Sequence, residues 1–439
     1  MPTIAQLAAL EILDSRGRPT VQATCMLAGG AAATASVPSG ASTGAAEALE
    51  LRDGDHTRYG GLGCRRAVAH INHDLNNALA GRAFATQGEL DAAMVALDGT
   101  PNKARLGANA ILAVSLAFAR ATAAGRGVPL YQHFADLLGV PLATLPRPTI
   151  NLFSGGKHAG GQIPIQDVLV VPAAARTMDE ALATTYACFQ AAAQLTARKY
   201  SMRVLTADEG GLAPPFANAQ AMLDDAVTAI REAGFVPGRE VALAIDVASS
   251  HFYQDGRYHL DGRSLDSRGM IDTILDWLDR YPIVSVEDGL AEDDWAHWPE
   301  LAAAIGGRAL VLGDDLLCTN PARIRRARAM GAATALLLKV NQIGTLSEAA
   351  EAYRLARAAG WRVTISARSG ETEDNWLADL AVGWAGDQIK VGSITQSERL
   401  AKYNRLLAIE AETSLPLVRS EKRERKGRSN AIKPLWSLL

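Results

Sequence analysis

In the segment Ala335-Leu336-Leu337-Leu338-Lys339, a run of apolar residues ends on a lysine. The run reads as a buried parallel strand, which puts Lys339 at the strand's end. A buried ammonium costs several kcal/mol unless it is paired, so a lysine there points to chemistry. Earlier strand-like runs end in acids instead. Val241–Ile245 leads into Asp246, Ile283–Val286 into Glu287-Asp288, and Ala309–Gly313 into Asp314-Asp315. In a barrel of alternating strands and helices the strand C-termini share one face, and that face holds the active site. Asp246, Glu287 and Asp314 would then form a set of hard oxygen donors suited to Mg²⁺. Lys339 beside them is a candidate general base, because burial and a nearby divalent cation both lower a lysine's proton affinity. Any one of these acids alone fits a helix cap or an ion pair equally well; three in sequence with a lysine do not.

Other segments supply partners. Thr206-Ala207-Asp208-Glu209-Gly210-Gly211 sets an acid before two glycines, after an expected strand. Glu209 is a candidate general acid facing the lysine, with an ordinary acidic turn as the alternative. Arg368 and Ser369, in Ser366–Glu371, offer a fork and a hydroxyl suited to phosphate, and Lys390 adds a point charge. Taken singly, either cation also fits a surface ion pair. The loop Ser39–Gly44 is a candidate lid that excludes water.

These residues need a scaffold that brings them to one rim. The 439 residues, 48% of them hydrophobic, can bury a large core, and the length favours two domains. Residues 1–140 read as an α+β cap carrying the loop 38–44. Strands are expected at Ile4–Leu13, Thr20–Leu27 and Ala33–Val37, and a small-residue helix at Ala108–Ala124. Pro141–Pro148, with three prolines, reads as a hinge. Residues 141–418 alternate strands with helices, expected at Thr177–Ala197, Ala219–Ala233, Met270–Tyr281, Pro321–Met330 and Ser347–Gly360, as an α/β (β/α)₈ barrel would. Residues 419–439 form a polar tail, mostly basic over Arg419–Arg428.

A net charge of −3 and a pI near 6.3 argue against nucleic-acid or anionic-membrane partners. The four cysteines are scattered, with no CxxC pair, which disfavours structural zinc and a disulfide framework. The sequence shows neither a signal-peptide pattern nor an apolar run long enough for a bilayer, so a cytoplasmic protein is expected.

Over nearly its whole length the chain resembles enolase. The matching segments are Asp14–Gly17, Pro38–Gly44, Gly107–Ser115, Asp208–Gly211, Glu287–Gly289, Gly313–Leu316, Lys339–Gly344 and Ser369–Asp374. The resemblance implies an enolase-type barrel whose first elements depart from simple βα order, beneath an N-terminal cap. It also implies a phosphorylated carboxylate substrate and assembly as a homodimer. Asp246, Glu287 and Asp314 would hold one Mg²⁺, and Ser42 would help to hold a second. Lys339 would take the C2 proton of 2-phosphoglycerate, and Glu209 would protonate the departing C3 hydroxyl. Arg368 and Ser369 would hold the phosphate and Lys390 the carboxylate end. Asp167 and His158 would complete the catalytic set, with Gln166 and Ala41 against the substrate.

The chain departs from the family pattern in one neighbourhood. Ala367 replaces the histidine of Ser-His-Arg-Ser-Gly-Glu, and Asp167 replaces the glutamate of Gln-Glu-Phe-Met. Lys157 stands where serine or glutamate is usual, and Val391 where a threonine follows the lysine. The base and the metal acids survive, so the pattern reads as proton abstraction retained with a later step retuned. Two enzyme readings follow: phosphopyruvate hydratase, or a relative resembling carboxyphosphonoenolpyruvate synthase, which uses 2-phosphoglycerate and a nucleotide-activated phosphonoformate in phosphinate antibiotic pathways. A non-catalytic binding protein on the same scaffold is the third reading.

Overall fold

The computed structural model describes residues 1–41 and 43–418; the expectations for Ser42 and for the tail 419–439 lie outside them. The chain opens with an antiparallel sheet of β1 (Ile4–Leu13), β2 (Pro19–Leu27) and β3 (Ala32–Ser36). Asp14 makes the β1–β2 turn, accepting the amides of Arg16 at 2.8 Å and Arg18 at 3.0 Å. Against β2 and β3 packs the helix Ala108–Arg126. By length and composition alone this helix could cross a membrane, which the sequence reading did not expect of any segment; 78% of its apolar window is instead buried within the protein. Its many alanines let it pack closely, and Gly127 in the left-handed region ends it.

Eight strands then close into a barrel. They are β4 (Arg147–Ser154), β5 (Asp167–Val171), β6 (Ala242–Asp246), β7 (Ile283–Glu287), β8 (Leu310–Gly313), β9 (Ala335–Leu338), β10 (Arg362–Ser366) and β11 (Gln388–Lys390). Around the ring the order is β7-β8-β9-β10-β11-β4-β5-β6. Alternate side chains point in and out. Leu169, Val171, Ala242, Ala244 and Val284 form a small cluster of their own, while their neighbours Val168, Val170, Leu243 and Ile245 join the main core.

One strand breaks the alternation: β5 runs antiparallel to both β4 and β6, and every other pair in the ring is parallel. The reversal matters for the site, because the start of β5, not its end, lies at the rim where the other strands finish. Asp167 is thereby paired with Ser154 on one side and Asp246 on the other.

Candidate active site

Every strand but the reversed β5 delivers a polar residue to this rim as its apolar run ends. Asp246 and Glu287 are neighbours in register. Asp314 follows β8, Lys339 follows β9, and Lys390 closes β11. The structure brings all five together. Lys390 Nζ lies 2.8 Å from Asp246 Oδ2 and 2.8 Å from each Glu287 oxygen. Burial opposes its charge, but the two carboxylates outweigh burial and hold Lys390 well above the usual lysine range. Burial likewise opposes the charge on Asp246, yet Lys390 holds it down to about 2. Glu287 is pushed well up by burial and by the Asp246 charge. One ammonium serves two carboxylates.

Lys339 donates to Asp314 Oδ2, and Gln342 donates to Asp314 Oδ1 at 2.7 Å. Burial opposes the Lys339 charge, but Asp314 outweighs it and keeps the amine above its ordinary pKa. Asp314 is itself oriented from behind. Its backbone amide and that of Asp315 donate to the two oxygens of Asp288, at 2.9 and 2.7 Å.

A second group gathers around the reversed strand. Asp167 is fully buried and accepts from Ser154 Oγ at 2.5 Å, and His158 Nδ1 lies 3.0 Å from its other oxygen. His158 is carried by the β4–β5 connection. There Gly156 adopts φ +48°, and a Cβ would stand 3.1 Å from the Gln166 backbone. The far ring nitrogen, Nε2, lies 3.8 Å from Glu209 Oε1. Burial disfavours the imidazolium, but Asp167 and Glu209 outweigh burial and raise His158 to about 9. Glu209 is held below the usual glutamate range: burial acts upward, and His158, Arg399 and the two site lysines overcome it. In this arrangement the proton resides on His158, not on Glu209.

The expected strand before Glu209 is absent. Residues 201–213 form a loop, held by single bridges of Leu212 to Phe153 and to Thr206, and by the Ser154 amide on the Leu212 carbonyl at 2.9 Å. Backbone pairing to β4 positions the acid without a strand of its own.

Arg368 and Ser369, expected to hold a phosphate, line this pocket too. Arg368 is buried and donates to both oxygens of Glu47, at 3.0 and 3.1 Å, and to Asn341 at 2.9 Å. Ser369 Oγ accepts from Arg16 at 3.2 Å. Neither Arg368 nor Lys390 is a surface ion pair, since they are only 3% and 6% exposed. The cap reaches the site through Ser39, whose amide and carbonyl pair with Gly370 at 2.8 and 2.9 Å. A side chain at position 370 would collide with Arg16 and Asp14 at 2.2 Å. Ala41, Gln166, Ala367 and His158 line the same pocket as Lys339 and Glu209, and its free volume of about 10 Å³ is roughly that of one water. Gln166 donates to Asp246 at 3.0 Å.

The acids fit a hard cation. Glu287, Asp288 and Asp315 are all pushed up by burial first and then by neighbouring carboxylates, Asp315 to about 7. Carboxylates thus crowd one another at this rim. Among the described residues, metal-type ligand atoms converge within 4.8 Å in two groups, His158/Asp167/Glu209 and Asp288/Asp314/Asp315. The trio Asp246, Glu287 and Asp314 is not one of them, and in it the two ammoniums stand among the carboxylates. Asp288 has both oxygens occupied by amides, so it serves to orient Asp314.

Several site residues escaped the sequence reading. Glu47, Asn341 and Gln342 flank quoted motifs, but nothing in their spacing shows what they touch. Arg399, fully buried, donates to the carbonyls of Arg368 and Val391 at 2.6 and 3.0 Å, and so ties the last two strand ends together. His251, five residues beyond Asp246, is pushed down to about 4 by burial and then by the charge of Lys157. Its position after a rim acid was the available signal.

Two family models match the chain: the enolase N-terminal domain over residues 4–134, and the enolase C-terminal TIM barrel domain over residues 142–424.

Proposed function

The chain belongs to the enolase family, and on that premise we propose that it is a Mg²⁺-dependent enzyme that removes the C2 proton of 2-phosphoglycerate or a close analogue. The observation carrying this reading is the single pocket onto which Lys339, Glu209, Asp246, Arg368, Ser369 and Lys390 all open. Asp246, Glu287 and Asp314 would hold the metal, which when bound supplies positive charge for an enolate developing on the substrate. The protein's own part begins with the Lys339–Asp314 ion pair. While paired, Lys339 keeps its proton, so the pair opens before the amine can act as a base. Arg368 exchanges Glu47 for the substrate phosphate, a bidentate partner of the same sign and geometry. On the opposite wall His158 carries a proton 3.8 Å from Glu209. We assign the pair a joint role, in which His158 passes its proton to Glu209 and Glu209 delivers it to the leaving hydroxyl.

A second reading, an enolpyruvate transfer onto another anionic substrate, is favoured by Ala367. Its methyl lines the pocket wall where the family pattern carries a histidine, and Lys157 adjoins the pocket-lining His158 in the chain. Incubation with 2-phosphoglycerate and Mg²⁺ tests the first reading through ultraviolet absorbance of the enol product. Binding without turnover, and turnover only with a second phosphorylated or phosphonylated acid, favours the second.

A further inference from the structure

Glu209 sits on a loop, so its carboxylate needs an anchor elsewhere, and strand β4 supplies one. The pairing of β4 with β5 slips by one residue between Asn151 and Phe153, as at a β-bulge. In a regular strand, residues three apart face opposite sides. After the slip, Asn151 and Ser154 share one face. Both meet Gly211, where a Cβ would stand 2.4 Å from Ser154 Oγ and 3.5 Å from Asn151 Cβ. Glycine at 211 lets the Glu209 loop lie this close to the strand.

Each of the two side chains then holds one of the carboxylates that flank His158. Ser154 Oγ donates to Asp167, and Asn151 Nδ2 donates to Glu209 Oε2 at 3.1 Å. Asn151 is buried. Its backbone amide donates to the Gly392 carbonyl at 3.2 Å, and the amide of Ser393 donates to the Glu209 carbonyl at 2.8 Å. Asn151, the residues after β11 and Glu209 thus form a closed ring of bonds. The main chain and the carboxylate of Glu209 are both pinned.

The consequence is chemical. An amide nitrogen can only donate, so Oε2 is held as an acceptor. A proton on Oε2 would point at the Asn151 N–H. The oxygen left for it is Oε1, which lies 3.8 Å from His158 Nε2. We infer that Asn151 is a positioning residue: it turns the Glu209 carboxylate so that Oε1 takes the His158 proton and delivers it to the C3 hydroxyl, whose C–O bond breaks to release water. Asn151 does not line the pocket, so it acts through Glu209. The inference rests on the proposed function, in which Glu209 is the acid, and it leaves the Lys339 step unchanged.

The test separates the two steps in Asn151→Ala and in Asn151→Leu, which keeps the shape of the side chain without its donor. With 2-phosphoglycerate and Mg²⁺, C2 proton exchange in deuterated buffer reads Lys339, and ultraviolet absorbance of the enol product reads Glu209. Exchange should stay within about threefold of the wild type while product formation falls by about tenfold to a hundredfold, the scale expected when a reacting group is misplaced by about 1 Å. An equal loss of both, which a purely structural role would give, overturns the inference, and so does unchanged product formation. Crystal structures of the wild type and Asn151→Ala decide it without turnover: the Glu209 carboxylate should turn away from His158 in the variant, and a carboxylate that keeps its place overturns the inference. Absence of exchange in the wild type would instead remove the proposed function beneath it.

Discussion

Lys390 reaches across the barrel mouth to Glu287, its Nζ 2.8 Å from both carboxylate oxygens, from a strand diametrically opposite in the ring. The contact spans the space where metal and substrate would meet. It explains how so many buried acids are tolerated at one rim: an ammonium stands among them.

Glu287→Gln should therefore separate metal binding from folding. Alanine would strip Lys390 of two of its bonds, and breaking a buried pair costs about 3–5 kcal/mol. Glutamine keeps an acceptor for Lys390 and removes the charge. We expect Mg²⁺ affinity to fall by at least the roughly 10–100-fold seen when a ligand's support is lost, with little change in circular dichroism. Calorimetric titration reads this out, and undiminished affinity would remove Glu287 from the metal site.

His158 gives a pH signature. Its pKa is about 9 in the folded protein against an ordinary 6.5. A base with a raised folded pKa stabilises the fold fully below 6.5, and that contribution is lost as pH rises through 9. Metal-free protein should lose thermal stability between pH 6.5 and 9, and His158→Gln should flatten that slope. Parallel melting curves for the two proteins would contradict the assignment.

The family fold was legible in the sequence because its strands are continuous apolar runs ended by charge, and the rim residues Asp246, Glu287, Asp314, Lys339 and Lys390 stand at those ends. The strand Ile4–Leu13 and the helix Pro321–Met330 lie where periodicity and capping put them. What stayed hidden depends on pairing in space. Asp167 reaches the rim only because β5 is reversed, and no local pattern marks a strand's direction. Glu209 sits on a loop held by backbone bonds that no side-chain periodicity records. Glu47 meets Arg368 across 321 residues, and its spacing carries no trace of that contact.

Two departures from the family pattern should behave differently. Asp167 is satisfied by Ser154 and His158 at its present length. Asp167→Glu should overpack a fully buried site and cost about 1–3 kcal/mol without raising activity. Ala367→His instead adds a polar group to the pocket wall, and should raise enolpyruvate formation from 2-phosphoglycerate at least tenfold. Melting temperatures and product absorbance for the two single variants check both, and the opposite pattern would mean that the shortened acid limits turnover.

Arg368→Lys should weaken substrate binding more than catalysis, because a lysine cannot reproduce the fork that now holds Glu47. We expect KM for 2-phosphoglycerate to rise by an order of magnitude or more with a smaller change in kcat. A fall in kcat at constant KM would place Arg368 in the chemical step instead.

We propose Lys339 as the base of a metal-assisted proton abstraction. Proton NMR of 2-phosphoglycerate in deuterated buffer with Mg²⁺ tests it directly, because exchange at C2 reports deprotonation whether or not elimination follows. The wild type should wash out the C2 proton, and Lys339→Ala should abolish the exchange while retaining Mg²⁺ binding. Undiminished exchange in Lys339→Ala would place the base elsewhere and contradict the account.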